Sequence, residues 1–108
     1  MDKILIIIWL HWLADFAMQT DKVAINKSRK LSFLTLHAFL YSIPFLLFGW
    51  KFAVFNGLVH FVVDFFTSKL NAYYVLIDNR HAFFLTIGFD QAIHLSTLII
   101  SLSWLNKI

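Results

Sequence analysis

Seven side chains of this sequence have the chemistry to form one reactive site: His11, Asp15, His37, His60, Asp64, Asp90 and His94. All seven interrupt stretches that are otherwise apolar. Carboxylates and imidazoles are ligands for divalent transition ions, zinc first, with manganese and iron as alternatives. One zinc takes three or four protein ligands, so seven candidates allow one ion or two. An ion held there would activate a water for hydrolysis. A carboxylate among Asp15, Asp64 and Asp90 would then act as general base or acid. Di-iron helical bundles are built on Glu and Glu-x-x-His. This chain has no Glu, all six acids being Asp, so hydrolytic chemistry ranks ahead of oxidative chemistry.

The spacing of these residues is helical. His11, Asp15 and Gln19 are separated by four, as are His37 and Tyr41, and as are Asn56, His60, Asp64 and Ser68. Asp90, His94, Thr97 and Ser101 follow in steps of four and three. Such steps keep side chains on one face of a helix, so four helices each carry one polar seam. Gln19, Lys27, Tyr41, Lys69 and Gln91 are the residues expected to contact a substrate or steady the ligands. Lys27 and Lys69 are suited to a phosphate at the rim.

The elements that must position these residues are four apolar segments, read as helices over about 3–20, 31–49, 51–70 and 82–105 in a single domain, 1–108. Hydrophobic residues make up 60% of the chain and charged residues 14%. A soluble domain carries about 25% charged residues, and one this small buries only ~60–65% of its surface. The polar shell is too small for that, which excludes an ordinary cytosolic domain. The composition predicts an all-α, four-helix transmembrane bundle, since a span needs ~20 apolar residues. The absence of Cys excludes disulfides and thiolate metal sites. The Lys and Arg residues lie in loops without an interleaved aromatic surface, which disfavours nucleic acid as a partner. Lys3 before an apolar run resembles the start of a signal peptide. His11 and Asp15 within the run favour an uncleaved helix instead. Pro44 is expected to kink the second helix, and Gly49 with Trp50 to mark the turn into the third.

Lys22, Lys27, Arg29, Lys30, Lys69 and Arg80 fall on one side of such a bundle, and Lys3, Lys51 and Lys107 on the other. The excess places loops 20–30 and 70–81 in the cytoplasm and both termini outside the inner membrane. Trp50 and Trp104 then sit at the outer edge. Lys27, Arg29 and Lys30 are suited to touch anionic lipid. With the cytoplasmic edge near residues 20, 31, 70 and 82, the seven ionisable groups fall ~8–18 Å deep, in one layer ~10 Å thick. That coincidence predicts a single site opening toward the cytoplasm. His-x3-Asp occurs at His11–Asp15 and again at His60–Asp64, which suggests two pseudo-repeated helical hairpins.

The stretch HWLADFAMQTDKVAINKS resembles the His-Trp-x-x-Asp-Phe-x-x-Gln signature of small bacterial and phage integral membrane proteins of unknown function. LHAFLY around His37, HFVVDFFTSK around His60 and Asp64, and DQAIH from Asp90 to His94 extend the resemblance along nearly the whole chain. It implies His11, Asp15, Gln19, Lys27, His37, His60, Asp64, Lys69, Asp90, Gln91 and His94 as family positions, and implies no activity. The His-x3-Asp helices are similar, more loosely, to inner-membrane metal-dependent hydrolases. Three functions therefore stand open. They are a metal-dependent membrane hydrolase of a lipid-linked or phosphorylated substrate, a proton or cation channel or transporter component using the same His/Asp seam, and a membrane scaffold. The oligomeric state is left open.

Overall fold

The computed structural model describes residues 3–17 and 29–105, which form four helices and no strand. Helix α1, Lys3–Trp12, runs on into a π-helical turn at Leu13–Ala17. Helix α2, Leu31–Ser42, tightens into a 3-10 segment at Ile43–Phe48. Helix α3 is Trp50–Leu76 and α4 is Arg80–Leu105. The tightening of α2 follows from Pro44, which has no N–H to donate one turn back and whose ring crowds the preceding turn. Gly49, at φ 110°, then reverses the chain in a conformation that residues with a Cβ rarely adopt.

Helix α3 extends six residues past the expected end near 70. Asn71–Leu76 contains no Gly or Pro, so nothing local stops the helix there. The stop comes at Asp78, which is left-handed at φ 57°, and at Asn79, whose side-chain oxygen accepts the Ala82 N–H at 3.1 Å and caps α4. The link between α3 and α4 is thus only Ile77–Asn79. At 27 residues α3 is ~40 Å long, longer than the ~30 Å of a bilayer's hydrocarbon.

The helices pack in a ring, each against its neighbours in sequence and α4 back against α1. The π-helical turn of α1 contacts the start of α2, and the start of α1 contacts the 3-10 end of α2, so the two run antiparallel. The apolar core is a plug at one end. Ile7, Tyr41, Phe45, Phe52, Ala53, Leu98 and Leu102 cluster there, with Phe45 and Phe52 edge to face at 5.9 Å. Ala14, Leu34 and Ala38 are the other buried apolar residues among those described, and the rest of the described interior is polar. His11, Asp15, His37, Asn56, His60, Asp64, Thr67, Ser68, Asp90, His94 and Ser101 are all buried. Phe39, Leu46, Leu47, Leu58, Val62, Phe66, Leu85, Phe89 and Ile100 face outward and are exposed. Two segments, Leu31–Phe48 and Arg80–Trp104, are long and apolar enough to cross a membrane.

Candidate functional site

Each helix delivers its seam to one place. From α1 come His11 and Asp15, the latter inside the π-helical turn. Such turns widen a helix locally and recur at functional sites. His37 and Tyr41 come from α2, His60 and Asp64 from α3, and Asp90, Gln91 and His94 from α4. Asp15, His37, Asp64 and His94, from four different helices, lie close together.

Three imidazole Nε2 atoms converge on the carboxylates. His37 Nε2 is 3.1 Å from Asp15 Oδ1 and 3.4 Å from Asp64 Oδ2. His60 Nε2 is 3.7 Å from Asp15 Oδ1 and 3.4 Å from Asp64 Oδ2. His94 Nε2 is 3.4 Å from Asp64 Oδ1 and 3.2 Å from Asp90 Oδ1. Each Nε2 therefore lies between two carboxylates, although a ring nitrogen has at most one proton to donate. His60 is fully buried, and neither of its ring nitrogens makes a hydrogen bond of acceptable geometry. Donors gathered around a common point, rather than matched in pairs, are the geometry of ligands around a cation. Asp15, His37, His60 and Asp64 each offer an atom within 4.8 Å of the others, as do Asp15, Asp90 and His94, so these groups could hold a metal ion.

His11 belongs to neither group. Its Nε2 is 3.8 Å from Asp15 Oδ2, and both ring nitrogens are engaged elsewhere. The Gln91 Oε1 can only accept, so His11 Nε2–H donates to it at 2.5 Å. In the neutral ring Nδ1 then accepts the Tyr41 hydroxyl at 2.9 Å. The Gln91 amide donates to Asp15 Oδ2 at 2.9 Å and to Asp90 Oδ2 at 3.1 Å. Tyr41, His11 and Gln91 thus form a chain that ends on two carboxylates of the site. The Tyr41 ring also stacks on His60, with centroids 3.9 Å apart and planes 10° from parallel.

Thr67 was not among the residues singled out from the sequence. Its hydroxyl lies 2.6 Å from Asp90 Oδ1, well placed to donate. The available signal was its position one turn beyond Asp64. At the level of the apolar plug, Asn56 Nδ2 donates to Ser101 Oγ at 2.9 Å. Lys69 is exposed, with its ammonium 4.8 Å above the Phe65 ring. Gln19 and Lys27 lie outside the described residues.

The chain belongs to the family described as "Protein of unknown function (DUF3307)", whose model matches residues 4–108. No curated protein matches the chain. No solved structure matches it either.

Proposed function

We propose that this member of an uncharacterised family is an integral membrane, metal-dependent hydrolase of a lipid-linked or phosphorylated substrate, with a divalent ion held by Asp15, His37, His60 and Asp64. One observation carries the metal reading. Tetrahedral metal–ligand bonds of ~2.0–2.1 Å put neighbouring donor atoms ~3.3–3.4 Å apart. The contacts here are 3.1, 3.4, 3.7 and 3.4 Å, and they surround a His60 Nε2 that has no hydrogen bond. Zinc suits an all-nitrogen-and-oxygen set of this size, with manganese or iron as alternatives. The bound ion supplies the Lewis acidity that makes water a nucleophile near neutral pH. Asp90 has the most exposed side chain among the site's carboxylates, which suits it to exchange protons with that water and with solvent.

The inverted polarity of the bundle supports the membrane. Ionisable groups fill the interior while large apolar side chains face outward from every helix. In water that outer surface would cost ~25 cal/mol per Å² of apolar area, whereas in lipid it costs nothing. The Lys and Arg distribution favours residues 20–30 and the Ile77–Asn79 link on the cytoplasmic side of the inner membrane and both termini outside.

A proton or cation pathway is the second reading, because Asp and His chains are relay parts. The apolar plug weighs against it. Ile7, Phe45, Phe52 and Leu98 are essentially fully buried around the Asn56–Ser101 pair, so apolar side chains close the polar seam at that end. A hydrolytic site needs one opening; a pathway needs two.

The test is metal content and affinity of the purified protein, with Asp64→Asn as the perturbation. Zinc sites bind with ~10–16 kcal/mol. A quarter of that per ligand is ~2.5–4 kcal/mol, or ~10²–10³-fold in affinity. Asn keeps the shape, so helix content should persist while metal is lost. Native protein that takes up no metal would overturn the reading, and a pH-dependent ion flux in liposomes abolished by Asp64→Asn would establish the pathway instead.

A further inference from the structure

Each of two carboxylates in the cluster has one oxygen turned toward the set just described and the other turned away from it. Asp64 Oδ2 faces His37 and His60, while its Oδ1 faces His94 at 3.4 Å. Asp15 Oδ1 faces His37 and His60, while its Oδ2 lies on the side of Gln91. The outward oxygen of Asp64 meets further donors. His94 Nε2 stands between it and Asp90 Oδ1, which is 3.2 Å away. Asp15, Asp90 and His94 each offer a donor atom within 4.8 Å of the other two.

We infer that the cluster is a two-metal centre in which Asp15 bridges a first ion, bound also by His37, His60 and Asp64, to a second ion, bound also by His94 and Asp90. The inference rests on the metal reading above and deepens it. A carboxylate that gives one oxygen to each ion spaces the pair at the ~3.5–4 Å of two-metal hydrolytic sites. The ligand counts differ in a way that suits catalysis. The first set, Asp15, His37, His60 and Asp64, has the four donors of a closed zinc site. The second, Asp15, Asp90 and His94, has three, which leaves a position for water or substrate.

The surrounding hydrogen bonds steady the second position in particular. Gln91 holds the far oxygens of Asp15 and Asp90 through one amide nitrogen, at 2.9 and 3.1 Å. Thr67 steadies Asp90 from α3 at 2.6 Å. Carboxylate oxygens have two lone-pair directions each, so these bonds leave one free for an ion. His11 orients Gln91 and is a positioning residue rather than a ligand. Its separation of 3.8 Å from Asp15 Oδ2 and its two occupied nitrogens exclude it from both donor sets.

The test uses full-length protein in detergent micelles, stripped with chelator and titrated with Mn²⁺ alone. The readouts are bound metal per chain and the electron paramagnetic resonance spectrum. Native protein should bind two Mn²⁺ and give the broadened, multiline spectrum of an exchange-coupled pair. Asp90→Asn should bind one, with the six-line spectrum of an isolated ion. His94→Gln is a second variant with the same expected result, in case the first fails to fold. One Mn²⁺ in native protein, unchanged in Asp90→Asn, overturns the two-metal centre and leaves the single-ion reading intact. Two bound ions without exchange coupling overturn the carboxylate bridge. No bound Mn²⁺, Zn²⁺ or Fe²⁺ overturns the single-ion reading as well.

Discussion

Tyr41 separates a tuned metal site from ordinary core packing, because it does two things that two substitutions can divide. Its hydroxyl donates to His11 Nδ1 at 2.9 Å, and its ring stacks on His60 at 3.9 Å between centroids. Tyr41→Phe keeps the ring and deletes the donor. His11, only 4% exposed, then has a buried acceptor without a partner, a loss of ~1–3 kcal/mol. Relaxing that loss means turning the imidazole, and the Gln91 amide with it, away from Asp15 and Asp90. Outer partners of metal ligands contribute ~10–100-fold to affinity, which at ~1.36 kcal/mol per decade is ~1.4–2.7 kcal/mol. The two routes to the number agree. Tyr41→Leu also removes the stack that holds the His60 ring, for a further ~0.5–1.5 kcal/mol, or ~2–10-fold. The assay is competition for Zn²⁺ against a chromophoric chelator, with helix content followed by circular dichroism. The expected order is native, then Tyr41→Phe, then Tyr41→Leu. Native affinity in Tyr41→Phe together with a loss in Tyr41→Leu would refute the argument, because packing alone predicts that pattern.

Two further outcomes test the frame around the site. A Cβ built on Gly57 would stand 3.0 Å from the Ser42 Cβ, so Gly57→Leu should force α2 away from α3 and cost ~1–3 kcal/mol; unfolding in detergent mixtures, followed by tryptophan fluorescence, reads it, and an unchanged midpoint speaks against that close approach. Single cysteines at Lys30 and Ile77 should both react with an impermeant thiol reagent from the cytoplasmic side, and a cysteine at Trp50 from the opposite side; labelling of the first two from different faces would exclude the proposed topology.

The part of the site that was legible in the sequence is the part that helical geometry imposes. His11–Asp15 and His60–Asp64 stand one turn apart, so each pair shares a face in any helix. Equal depths of four apolar segments then bring the pairs together. What escaped was set by tertiary contact. Gln91 is legible as a residue that steadies a ligand, but its partners are not: its long side chain reaches His11 on α1 and both Asp15 and Asp90. Thr67 reads as a hydroxyl that bonds its own helix at Val63 O, and it lies beside Asp90 only because α3 and α4 pack together. The π-helical turn at Leu13–Ala17 has no local signature, since Leu-Ala-Asp-Phe-Ala is compatible with an ordinary helix. The apolar segment ends near residue 70, but α3 continues to Leu76. Asp78 and Asn79, the residues able to turn left-handed and to cap, mark the helix end.

The distribution of unmatched polar atoms points to the wall of the site that meets its ligands. Among the described residues, the buried side-chain atoms without a hydrogen-bond partner are Asn56 Oδ1, His60 Nδ1 and Nε2, Ser68 Oγ and Asn71 Oδ1, and all belong to α3. Their spacing of four, eight and three keeps them on one face of that helix, the face that also carries Asp64 and Thr67. An unmatched buried group costs ~1–3 kcal/mol. A stripe of them along one helix is too costly to retain without a return in binding. The other helices match their polar groups to protein. Helix α1 bonds Tyr41 and Gln91 through His11, and α4 bonds Asp15 and Asp64 through Gln91 and His94. All four helices supply candidate ligands, and α3 alone adds a line of unmatched polar atoms beside them. It also sets a direction. The stripe continues past Asp64 to Ser68 and Asn71, away from the apolar plug, so on the proposed hydrolase reading a substrate would enter along α3 from that side and meet the ion before the plug.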